Sequence, residues 1–71
     1  MAASLRVGDR VSWSTEQGRT RGRIVDRKTK DFQFAGQRFR ASPDDPKFLV
    51  ESEKSGKRAA HAAGALRRLK G

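Results

Sequence analysis

The chain has no cysteine. Disulfides, thiolate zinc sites, iron–sulfur centres and thiol nucleophiles are excluded together, and the absence fits a reducing compartment. Tyrosine is also missing, leaving one tryptophan and four phenylalanines. A small domain needs most of those rings as core, so too few remain for a cage of aromatic faces around a methylated cation. His61 is the one histidine, so neither a histidine-based triad nor a histidine metal site can be assembled. It reads as a polar residue at a strand end. Asp44 and Asp45 stand between Pro43 and Pro46, where turn formation explains them better than acid–base work or a cation loop.

No apolar run nears the ~20 residues of a membrane span, and the MAASLR opening lacks an apolar signal segment. No membrane association and a cytoplasmic location are therefore expected. Seventy-one residues give one domain, with little stability to spare for a deep catalytic cavity. The expectation is a monomeric non-enzyme without cofactor or metal.

What the chain has is positive charge: 17 Lys and Arg against 8 Asp and Glu, a net +9. Such a balance points to a polyanionic partner, nucleic acid first, although surplus basic charge also serves solubility.

The pattern along the chain is that of short strands. Residues 1–6 read as a short mobile tail, and residues 7–71 as one domain. In VGDRVSW, Gly8-Asp9 turns the chain in, and Val11 and Trp13 alternate with Arg10, Ser12 and Ser14, as in a half-buried strand. After a turn at Glu16-Gln17-Gly18, RTRGRIVDRK forms a second strand with Ile24 on one face and Arg19, Arg21 and Arg23 on the other. Gly22 in mid-strand calls for a sharp bend or a close approach of another segment, which a curled, closing sheet supplies.

Phe32 and Phe34, then Phe39 between Arg38 and Arg40, flank a hairpin loop with Gly36 at positive φ. Phe48 and Val50 of KFLVESE face the core, with Leu49 covered from the other side. Lys54-Ser55-Gly56 turns into a last strand, KRAAHA. The AAGALRRLK ending is expected to make a turn or two of helix whose Leu66 and Leu69 plug one end of the fold. The sum is all-β: a small five-stranded barrel, in which closure removes exposed edges, with a short C-terminal helical turn.

Alternate residues of a strand lie ~6.6 Å apart on one face. Arg19, Arg21, Arg23 and Arg27 therefore form a row, with Arg10 and Arg38 or Arg40 on neighbouring strands. Arginine meets phosphate through a planar, two-pronged fork, which suits sequence-independent contacts to a nucleic-acid backbone. A solvated outer face would show the same pattern. Lys57, Arg58, Arg67, Arg68 and Lys70 make a second basic cluster, part of which a helix C-terminus would favour without any ligand.

The runs VGDRVSW, RGRIVDRKT, ASPDDPKFLVESEKSGK and AAHAAGALRRL resemble the hypervirulence-associated Tudor domain family of small, mostly bacterial proteins. The resemblance implies a Tudor-like, SH3-like barrel over about Val7 to Leu69 and implies fold more than function. Eukaryotic Tudor domains read methylated lysine or arginine, but no matching set of cage aromatics is present, so no site residues carry over. Two functions follow from the residues. The favoured one is a non-catalytic module binding nucleic acid through its arginine face. The alternative is a protein-interaction module for a peptide or acidic partner, with the loop 42–46 shaping a groove.

Overall fold

The computed structural model describes residues 5–69. The first four residues of the expected tail, and Lys70 of the second basic cluster, lie outside the described residues. Seven strands follow one another: β1 (Arg10–Thr15), β2 (Gly18–Lys28), β3 (Phe32–Phe34), β4 (Gln37–Phe39), β5 (Lys47–Ser52), β6 (Arg58–Ala62) and β7 (Arg67–Arg68), with a 3-10 turn at Ala63–Ala65 before the last. β1, β2, β5, β6 and β7 form one antiparallel sheet in the order β6-β5-β2-β1-β7, and β3 and β4 form a separate two-stranded sheet.

The alternation in β1 and β5 builds the core as expected. Val11, Trp13, Ile24, Phe48 and Val50 form one buried cluster, against which Leu5, Ala59 and Leu66 pack. In a flat sheet β1 and β6, three spacings apart, would stand about 14 Å from each other. The rings of Trp13 on β1 and His61 on β6 are 5.7 Å apart, so the sheet curls around its core. Gly22 makes that curl possible: a Cβ there would run into the Trp13 ring and the Glu51 backbone.

The turns carry their expected chemistry. Gly8, at φ +97, donates its N–H to the Ile24 carbonyl, and Ile24 donates to the Asp9 carbonyl, which ties the entry of β1 to β2. Gly18, at φ +114, closes the β1–β2 hairpin. The Ser52 hydroxyl, in a 7% exposed residue, accepts from the Lys54 and Ser55 N–H groups and shapes the β5–β6 turn. Glu53 N–H donates to the Arg21 carbonyl and holds that turn against β2.

Three expectations are corrected. The expected helical turn is there as the 3-10 turn Ala63–Ala65, but a strand follows it, so Leu66 and Leu69 do not share a helical face. Gly64 weakens helix, while the free edge of β1 offers partners, and Leu69 N–H donates to the Arg10 carbonyl there. Leu66 still packs on the core. The second correction concerns the rings: of the four phenylalanines only Phe48 joins the core. Ala35 and Gly36 both take positive φ, 52° and 78°, the two-residue turn that folds a hairpin back on itself. That turn pairs Phe32 with Phe39 in a ribbon of its own, where their rings stack at 5.3 Å.

The third correction lies in β2. Its register against β5 shifts between Ile24 and Asp26, a bulge that leaves Val25 without a partner and reverses the alternation beyond it.

Candidate nucleic-acid interface

Side chains of directly paired residues in an antiparallel sheet share a face, so register alone assembles the outer surface. Arg10, Arg23, Glu51 and Arg58 are successive partners across β1, β2, β5 and β6. The next row pairs Arg67 of β7 with Ser12 of β1, and Ser12 with Arg21 of β2. A third pairs Ser14 with Arg19. Six arginines therefore share one curved face with Glu51, and with Glu53 just beyond the end of β5.

This changes the membership of the expected row. Arg19, Arg21, Arg23 and Arg10 belong to it. Arg27 does not: beyond the bulge it stands opposite Phe48, and Asp26 takes the outer parity instead. Arg38 and Arg40 do not neighbour β2 either, since the strands bonded to it are β1 and β5. In exchange, Arg58 and Arg67 leave the supposed C-terminal cluster and join the face, because β6 and β7 are the two edges of the same sheet. Arg68 has the opposite parity, paired with Val11, and its Nε lies 3.7 Å from Asp9. Lys57 is exposed in the β5–β6 turn. Ser12 and Ser14 were not legible as part of the site. Their role appears only once Arg19 is set beside them.

Arg19 is held flat over β1. Its Nη2 donates to the Ser12 hydroxyl at 2.6 Å and its Nη1 to the Ser14 hydroxyl at 3.2 Å. A guanidinium has five N–H donors, so three remain for a ligand. Arg10 is committed elsewhere: Nε and Nη2 fork onto the two carboxylate oxygens of Glu53 at 2.8 and 3.1 Å. That hydrogen bonding raises the Arg10 pKa and holds the Glu53 carboxyl below its usual range, with Arg23 and Arg21 adding to the latter. Arg58 Nε pairs with Glu51 at 3.1 Å. Among the described residues, Arg19, Arg21, Arg23 and Arg67 have no carboxylate within 4.0 Å.

The face leads into a cleft of about 700 Å³ between the β1–β2 and β5–β6 turns, lined by Arg19, Arg21, Lys54 and Glu53 among others. His61 lies on the opposite, inner face, where burial pushes its pKa down. Among the described residues, no group of three or more His, Asp or Glu could hold a metal ion, and no helix is long and apolar enough to cross a membrane.

No curated protein and no solved structure matches the chain. A family match does exist, and it runs from Gly8, ahead of β1, to Leu66, ahead of β7, taking in all three hairpins and the whole core. With residues 8–66 of 71 covered by the family described as hypervirulence associated proteins Tudor domain, the chain belongs to that Tudor domain family.

Proposed function

We propose that this Tudor-type binding module holds a nucleic-acid backbone across the outer face of its five-stranded sheet, without catalysis. The observation that carries the reading is Arg19, fixed by two serine hydroxyls and standing in line with Arg21 and Arg23, none of the three with a carboxylate within 4.0 Å among the described residues. Holding a guanidinium in place before binding lowers the entropy lost when a phosphate is captured. Arg67 and the ion-paired Arg10 and Arg58 extend the face on both sides. Contacts of this kind give affinity with little sequence preference.

The test is a fluorescence-anisotropy titration of short DNA and RNA at several salt concentrations. With about four phosphates neutralised, affinity should fall roughly 100-fold between ~50 and ~200 mM salt. Absence of binding to either nucleic acid at low salt would falsify the reading.

A second reading draws on Glu51 and Glu53, which give the face mixed charge, as protein interfaces often have at their rims. An acidic protein partner would then meet the same arginines. Capture from a nuclease-treated lysate separates the two, because only a protein partner survives nuclease.

A further inference from the structure

Three of the four phenylalanines stand outside the core of a domain with few apolar residues to spare. Phe32, Phe34 and Phe39 are half-buried, and the register Phe32↔Phe39 and Phe34↔Gln37 puts all three rings on one face of the β3–β4 hairpin. Phe32 and Phe39 lie nearly parallel, 16° apart with centroids at 5.3 Å. This hairpin shares no strand pairing with the main sheet. The rings therefore do little for the main core, and their grouping calls for another reason.

Positive charge surrounds them. Arg40 follows Phe39 at the end of β4 and is exposed, whereas Arg38, paired with Gln33, stands on the other face of the hairpin. On the other side a cleft of about 300 Å³ is lined by Arg27, Lys28, Thr29, Lys30, Asp31 and Phe32. Lys28 Nζ stands 5.9 Å from the Phe32 ring centroid and is held there by Asp26 at 2.9 Å. An apolar protein surface would gain nothing from cations set around the rings. A ligand alternating flat apolar rings with negative charge fits both features at once.

We infer that the β3–β4 hairpin is a stacking platform for unpaired bases, with Phe39, backed by Phe32, taking a base and Arg27, Lys28, Lys30 and Arg40 the adjoining phosphates. The inference rests on the proposed nucleic-acid reading and adds to it a preference for a single strand. Aromatic platforms within basic grooves bind single strands with little sequence preference, because every base offers a π-face. It also gives Arg27 and Arg40 a site of their own, separate from the outer face of the main sheet.

The experiment compares three fluorescent probes of equal charge, each about 12 nucleotides of backbone, a length within the range such sites cover. They are oligo(dT), an abasic strand of the same sugar-phosphate backbone, and a hairpin duplex. The full chain should bind oligo(dT) about 5-fold or more tighter than the abasic strand, the range of one stacked base. Phe39→Ala and Phe32→Ala should each remove that preference while leaving abasic and duplex binding unchanged. Phe39→Tyr should keep it. Emission from buried Trp13 reports whether the main sheet of each variant remains intact.

Equal affinity for oligo(dT) and the abasic strand overturns the stacking platform and leaves the backbone reading standing. So does a preference that survives both alanine variants. Failure of all three probes to bind at low salt overturns the backbone reading itself, and the platform with it.

Discussion

The Trp13 indole fills the space that a side chain at Gly22 would need: ring carbon Cη2 lies 2.6 Å from the position of a Cβ, and the Glu51 backbone crowds the same point from β5. Trp13, paired with Thr20, meets Gly22, paired with Val11, diagonally across β1 and β2 as complementary shapes, and the curl of the sheet depends on that fit. Gly22→Ala should therefore destabilise the fold by about 3 kcal/mol, the upper range for an overpacked core. Urea unfolding followed by Trp13 emission checks this, and a loss below about 0.5 kcal/mol, within the range of an ordinary surface substitution, would refute the close-packing account.

Ala35 is the one described non-glycine residue at positive φ, 52°, beside Gly36 at 78°. A left-handed conformation costs an alanine roughly 1–2 kcal/mol, and hairpin turns of this kind favour Asn-Gly at the two central positions. Ala35→Asn should stabilise the β3–β4 hairpin by about 0.5–1 kcal/mol. Because this hairpin is separate from the main sheet, the gain is best read as slower amide exchange in residues 32–39. Unchanged exchange there would count against the turn assignment.

His61 lies half-buried against Trp13 and opposite Phe48, and burial pushes its pKa below the ordinary 6.5. The unfolded chain takes up the proton first as the solution is acidified. The histidine's contribution to stability is thus complete above about pH 6.5 and is lost as pH falls through the lower folded value. Glu53 and Asp26 act in the same direction only in more acid solution, since Arg10 and Lys28 hold their carboxyls below 4.5 and 3.8. The urea midpoint should begin to fall just below pH 6.5, and His61→Phe should remove that first decline. An identical pH profile in the variant would refute the assignment.

Glu53 restrains the basic face by occupying both prongs of Arg10. Glu53→Gln removes one negative charge and releases the guanidinium, so nucleic acid should bind more tightly and with a steeper dependence on salt, by about one unit of log–log slope. Stability should change little, because both partners are exposed and such pairs contribute little. Weaker binding by the variant would mean that Glu53 orients Arg10 for its ligand rather than competing with it.

The core was legible in the sequence because period-two alternation marks one face of a strand. Val11, Trp13, Phe48 and Val50 needed nothing further, and Gly22 in mid-strand announced a close approach. What stayed hidden depended on partners distant in the chain. Arg58 and Arg67 fall in the last fifteen residues, and only strand order sets them on the same face as Arg10 and Arg21. The Phe32 and Phe39 rings had the composition of core, and the turn at Ala35-Gly36 instead closed them on each other. Family resemblance supplied the fold but no site residues, so the arginines had to be sorted by register.

Arg23 and Arg27 make the sharpest test of that sorting, since sequence alternation sets them on one face and the bulge at Val25 separates them. Both are exposed, so neither substitution should disturb the core, and both remove the same charge from the whole molecule. If net charge alone attracted a duplex, Arg23→Ala and Arg27→Ala would weaken binding equally. If the outer face of the main sheet makes the contacts, Arg23→Ala should lower the log–log salt slope by about one unit, and Arg27→Ala should leave it unchanged. Duplex DNA is the probe of choice, because a single strand would also sample the hairpin beside Arg27. Equal slopes for the two variants would reduce the basic face to a diffuse field, and the arginine row would lose its claim to be a site.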